Sequence, residues 1–120
     1  MLELLPNMAD GVVGFIASGQ VTASDYETVA IPAVEACISQ HGKVRFLYQI
    51  GPAFTGFTAG AMWDDAKLGM AHINAVEKAA VVTDVHWIAG AVRFFRLAIP
   101  GHVRVFSNEQ FAEAAEWVAS

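Results

Sequence analysis

Two adjacent carboxylates, Asp64 and Asp65, four histidines and the single cysteine Cys37 are the side chains of this sequence best suited to chemistry. A carboxylate pair shares a proton or clamps a metal only when both groups face one point. Successive helix positions project about 100° apart, so neighbours on a helix do not meet that condition. Asp64 and Asp65 are therefore expected on a solvated face, with Lys67 three residues beyond Asp64 as an ion-pair partner. A reading in which Asp64, Asp65 and His72 serve an enzyme needs them converged. His41, His72, His86 and His102 lack the three-to-five-residue pairing of zinc sites, so no metal is expected. Cys37 falls on the apolar side of a helical pattern, where a thiol is buried, protonated and inert. One cysteine also excludes an internal disulfide.

Phosphate and acyl chemistry fare no better. The stretch Gly51 to Gly60 reads GPAFTGFTAG, with glycines but without the Gly-Lys-Ser/Thr ending that cradles phosphate. No Gly-x-Ser-x-Gly occurs, so there is no nucleophile elbow. With no complete catalytic set, the chain reads as a non-enzymatic binding domain without a cofactor.

The aromatic residues say more. Phe54 and Phe57 lead into a helical segment that carries Trp63, and a later one carries Trp87, Phe94 and Phe95. Phe94 and Phe95 are adjacent and cannot both enter one core, and Arg93 and Arg96 flank them in an amphipathic pattern. One of the two is expected at an interface. Arg93, Arg96 and Arg104 are the one basic concentration, placed on a solvated face or against an anionic headgroup or acidic partner. Composition agrees: of 120 residues, 55% are hydrophobic and 16% charged, more apolar surface than one small core absorbs. The excess fits a pocket, a membrane surface or a homodimer. A net charge of −5 repels phosphate backbones, so nucleic acid is not an expected partner. No apolar run reaches the roughly 20 residues of a membrane span, and Met1 to Leu5 lacks signal-peptide features, so a cytoplasmic location is expected.

These residues must be positioned by a regular scaffold, and the patterning supplies one. Met1 to Leu5 and Val12 to Ser18 form a hairpin across the turn formers Pro6, Asn7, Asp10 and Gly11, with Val13, Phe15 and Ala17 on one face. Thr22 or Ser24 caps a helix whose apolar stripe is Tyr26, Val29, Ala30, Ala33, Val34 and Cys37. Pro32 must bend or divide it, and Gly42 ends it. Val44 to Ile50 alternates as a strand stopped by Gly51-Pro52. A second helix from Thr58 carries Ala59, Met62, Trp63, Ala66, Met70 and Ile73 on one stripe. Ala79 to Thr83 reads as a covered strand, and Asp84 caps a third helix bearing Ile88, Ala91, Val92 and Phe95. His102 to Phe106 is the last strand. Ser107 and Gln110 then form a capping box, with Phe106 and Phe111 stapled across it, and Phe111, Ala114, Ala115 and Val118 form the last buried stripe. The order β-β-α-β-α-β-α-β-α implies one α/β domain over residues 1–120, with a largely parallel sheet flanked by helices.

In this order and spacing, GQVTASDY at Gly19 to Tyr26, WDDAKLGMAH at Trp63 to His72, AAVVTDVHW at Ala79 to Trp87 and VRVFSNEQFAEAAEW at Val103 to Trp117 resemble the bacterial SpoIIAA-like family, relatives of STAS domains. The resemblance implies a sheet flanked by helices, binding of a small molecule or protein, and no established enzyme activity. In the anti-anti-sigma branch a phosphorylatable serine in an Asp-Ser context opens the helix after the third strand. Here Thr55 and Thr58 are the only hydroxyls in that region, without Asp-Ser.

Two functions follow as expectations. In the first, Phe54, Phe57, Trp63, Trp87, Phe94 and Phe95 receive an apolar, lipid-like small molecule at a crevice or dimer interface. In the second, a STAS-like module binds a protein partner under phosphorylation at Thr55 or Thr58.

Overall fold

The computed structural model describes residues Met1–Ser120. Strand β1 (Leu2–Leu4) runs antiparallel to β2 (Val12–Val21), with Leu2 opposite Ala17 and Leu4 opposite Phe15. The turn between them places Asn7 and Gly11 at positive φ, as expected of turn formers. Strands β3 (Val44–Phe57), β4 (Val76–Val82) and β5 (His102–Phe106) follow in parallel, giving the sheet order β1-β2-β3-β4-β5. Each parallel step needs a crossover, and a helix supplies each one. The chain is thus the expected α/β fold.

The first crossover is one helical run in three parts. Thr22 and Asp25 close a reciprocal capping box ahead of the short α1 (Ala23–Asp25). A π segment, Tyr26–Ala30, follows, and α2 (Ile31–His41) begins with Pro32 in its first turn. Proline has no N–H, and the wider π turn lets the run pass it without a break. Tyr26, Ala30, Val34 and Cys37 are buried as the periodicity predicts. Gly42 ends α2 in the left-handed conformation at φ 75°.

Helices α3 (Ala59–His72) and α4 (His86–Phe95) lie on the same face as α2, while α5 (Phe111–Ala119) covers the other. Alternation along the strands divides the core accordingly. Val13, Phe15, Ala17, Val44 and Ile50 pack towards the α1–α2 side. Leu47, Ala80, Val82 and Phe106 pack under Ala114 and Val118 of α5. At the end of α5, Arg45 donates to the Val118 carbonyl at 3.0 Å and Lys78 to the Trp117 carbonyl at 3.2 Å. Cations at the negative end of a helix stabilise it.

Three local expectations are corrected. Strand β3 does not stop at Gly51-Pro52 but continues to Phe57. Its ladder with β4 ends at Gln49 opposite Val82, and its ladder with β2 skips from Ile50 to Phe54, so Pro52 falls where no partner needs its missing N–H. Asp84 does not cap α4. Its carboxylate instead accepts from the Asn108 amide and side chain at 3.2 and 3.0 Å, while Thr83 Oγ1 accepts from the Val85 amide. Phe95, placed on the buried stripe of α4 by periodicity, is 61% exposed because the helix buries its opening turn, Ile88 and Ala89.

Candidate functional site

The carboxyl ends of the parallel strands feed α3 and α4, and ligands of open α/β sheets collect where such connections diverge. α3 rests on α1 and the π segment, α4 rests on β5, and the two helices scarcely touch each other. Phe46, Tyr48 and Val81 are partly buried against the first core.

The predicted aromatic residues separate into two groups. Phe54 and Phe57 lie near the end of β3, half-buried against the first core, with ring centroids 4.8 Å apart. Trp63, Trp87, Phe94 and Phe95 are exposed on α3 and α4 by 65%, 57%, 73% and 61%. Both adjacent phenylalanines, and not one, face solvent, and their rings stack edge-on at 5.4 Å. Met62, Met70 and Leu97 are exposed as well. Isolated exposed apolar residues are ordinary, but several large ones on two neighbouring elements mark an interaction surface.

Helix α3 is oriented against its own pattern. Its apolar stripe, with Met62, Trp63 and Met70, faces outward, and the side it buries contains Ala61 and Asp64. The expectation of two solvated carboxylates is therefore wrong for Asp64. Its side chain is 9% exposed; Oδ1 lies 3.7 Å from Lys67 Nζ, and Oδ2 is buried without a hydrogen-bond partner. An unpaired buried acceptor costs roughly 1–3 kcal/mol.

Asp65 belongs to a second polar feature. The Tyr26 and Tyr48 hydroxyls are 3.0 Å apart, Tyr26 on the π segment and Tyr48 on β3. Burial is the main cause that pushes both phenols above their ordinary range, and the nearby Asp65 carboxylate pushes the same way. Crowding by protein raises the Asp65 pKa, and the Tyr26 hydroxyl partly offsets the rise. Asp65 nonetheless keeps solvent access as a residue. The two tyrosines were absent from the sequence-derived site. Their signal was a hydroxyl at apolar-stripe positions, since a buried phenol needs a partner.

The remaining candidates do not assemble. Thr55 is exposed on β3, whereas Thr58 caps α3, its Oγ1 accepting from the Ala61 amide at 3.1 Å. Cys37 is buried, and burial raises its thiol pKa. His41, His86 and His102 are exposed and His72 half-buried, and no group of three or more His, Cys, Asp or Glu side chains is placed to hold a metal. Arg93 and Arg96 are exposed beside Phe94 and Phe95, but Arg104 lies over the Phe106 and Trp117 rings at 4.9 and 5.4 Å. Two surface depressions of about 330 and 320 Å³ lie at the amino ends of the parallel strands, one beside Glu77 and His102, the other beside Met8 and Cys37. Neither includes any of the six aromatic residues.

Comparison with known proteins places this arrangement. The SpoIIAA-like family model matches residues 12–119. The chain belongs to the SpoIIAA-like family. A crystal structure of an uncharacterised DUF3478-family protein from Shewanella loihica PV-4, described as having a SpoIIAA-like fold, is similar over 98% of this chain and 92% of that one. The identity is 25% and the TM-score 0.74. No curated protein matches the sequence. The match covers β2 to α5, and the antiparallel β1 completes the sheet. No helix of this SpoIIAA-like chain is long and apolar enough to cross a membrane.

Proposed function

We propose that this SpoIIAA-like chain is a non-enzymatic binding module that receives an apolar, lipid-like small molecule on the aromatic face of α3 and α4. One observation carries the reading: Trp63, Trp87, Phe94 and Phe95 are all more than half exposed on two helices that pack on the same core cluster. Family membership supports a binding or regulatory role at the level of the fold. Apolar contact supplies affinity at such a surface, at roughly 25 cal/mol per Å² removed from water.

The test is binding of the neutral apolar dye Nile red. Trp63→Ala and Trp87→Ala are expected to weaken it several-fold, and Thr55→Ala to leave it unchanged, after correction for folded protein. A Thr55 effect larger than either tryptophan effect would transfer the site to the phospho-controlled reading. The same face would also serve a homodimer. Sedimentation with and without ligand separates the two, because a dimer that persists and excludes the dye makes self-association the use of the surface.

A further inference from the structure

Helix α4 and the turn that follows it, Arg96–Ala98, are apolar on both sides. Inward, Ile88 and Ala89 are buried and Val92 packs on the first core. Outward, Trp87 and Phe94 stand seven residues apart on one side of the helix, with Gly90 and Ala91 between them at helical spacing. Leu97 is 86% exposed just beyond the last turn, and the Phe95 ring meets that of Phe94 edge-on. A helix that is apolar all round is ordinarily buried all round, so the outer side of α4 calls for a cover.

Charge says what kind of cover fits. Of the seven basic side chains, all but two are engaged: Lys43 and Arg45 by Glu77, Lys67 by Asp64, Lys78 by the Trp117 carbonyl, and Arg104 by the Phe106 and Trp117 rings. Arg93 and Arg96 are the two left without a partner, and they flank Phe94 and Phe95. No acidic residue occurs between Asp84 and Glu109, and Asp84 is taken by Asn108. A two-fold pairing of α4 with itself in a second copy would set these arginines against each other with no acid between them. A small apolar ligand alone would leave them unused. An anionic bilayer meets both features, its headgroups taking the guanidinium groups and its acyl boundary the aromatic rings. No helix is long and apolar enough to cross a membrane, so α4 would lie along the surface. The net charge of −5 does not forbid this, because exposed charges more than about 8 Å away are largely screened at physiological salt.

We propose that the outer side of α4 docks the chain on an anionic phospholipid surface, with Arg93 and Arg96 on headgroup phosphates and Trp87, Phe94, Phe95 and Leu97 in the acyl boundary. The inference goes beyond the lipophile reading without requiring it, since docking sets the aromatic face against the phase in which a lipid-like ligand dissolves.

The experiment is co-sedimentation of the full chain with vesicles of phosphatidylcholine alone and of equal parts phosphatidylcholine and phosphatidylglycerol. An arginine near an anionic surface raises affinity roughly fivefold, so the two together predict a preference for the anionic vesicles of about tenfold or more, fading as salt is added. Arg93→Gln/Arg96→Gln should remove most of that preference and leave binding to neutral vesicles unchanged. Phe94→Ala/Leu97→Ala should weaken binding to both compositions. Lys78→Gln/Arg104→Gln makes the same change in net charge on the α5 side and should keep the preference. Circular dichroism confirms that each variant is folded, and the exposure of Arg93, Phe94, Arg96 and Leu97 means that the deciding variants remove no core contact. Equal binding to the two compositions, a preference that survives Arg93→Gln/Arg96→Gln, or no binding to either would overturn the inference. Absence of vesicle binding together with a dimer in sedimentation would assign the outer side of α4 to a second copy. Nile red binding without vesicles is measured in parallel, so that loss of dye binding overturns the lipophile reading alone and loss of vesicle binding this inference alone.

Discussion

Replacing Asp64 with alanine should make the protein more stable. Three contributions set the size. The orphaned Oδ2 costs roughly 1–3 kcal/mol, which the substitution removes. Alanine is the better residue in the interior of α3 by up to about 0.7 kcal/mol. Against these stands the ion pair with Lys67, whose ammonium side is 60% exposed, worth about 0.3–0.5 kcal/mol. The net expectation is stabilisation by about 1–3 kcal/mol, which in a domain of this length raises Tm by several degrees. Urea denaturation measures it, with an unchanged m-value showing that the denatured state is unaltered. Destabilisation by more than about 1 kcal/mol would show that Asp64 has a structural partner and would refute the reasoning.

Asp65 gives a pH dependence of defined sign. Burial pushes its folded pKa above the ordinary carboxylate value, so the folded chain binds this proton more tightly than the unfolded one. The associated stability is fully present below the unfolded pKa and is lost as pH rises through the folded one. Stability of Asp65→Asn relative to wild type should therefore increase with pH across that window, and a flat difference would contradict the desolvation of the carboxyl. Tyr26→Phe leaves the Tyr48 hydroxyl without its 3.0 Å partner and should cost about 1–3 kcal/mol; the double Phe variant should recover part of it, read as a coupling in a mutant cycle by denaturation. At Gly101 a Cβ would overlap the carbonyl oxygens of Val76 and Glu77, which are backbone atoms that cannot swing aside. Gly101→Ala should thus cost about 1–3 kcal/mol or more in a thermal melt, and wild-type stability would disprove the close approach of that turn to β4.

Much of the fold was legible because local and global signals agree along most of the chain. Val13, Phe15 and Ala17 alternate into the core as their spacing requires, Thr22, one of the two candidate caps, opens the first helical run, and His102 to Phe106 is the last strand. The end of β3 was not legible, because whether proline stops a strand depends on which ladder bonds exist at that register. Nor was the cap of α4. Asp84 follows the usual pattern for one, but Asn108, distant in sequence, takes its carboxylate.

The site was legible only in part, for one reason: periodicity finds a stripe on a helix but does not say which way the stripe faces. On α2 the stripe of Val34 and Cys37 faces inward. On α3 the stripe of Met62, Trp63 and Met70 faces outward, because α3 sits on α1 and the π segment more than on the sheet. The same inversion carries Asp64 inside. The aromatic residues were visible from composition, whereas the Tyr26–Tyr48 contact joins positions 22 residues apart that nothing local connects.

The most direct test of the binding face uses the protein's own tryptophans. In a Trp117→Phe variant the emission comes from Trp63 and Trp87 alone, both more than half exposed. A long-chain alcohol brominated near the middle of its chain quenches an indole only on close contact. The account predicts saturable quenching of that emission with a shift to shorter wavelength, diminished when either Trp63 or Trp87 is also replaced. Emission that stays at long wavelength and is quenched no more than free tryptophan in the same solution would contradict it.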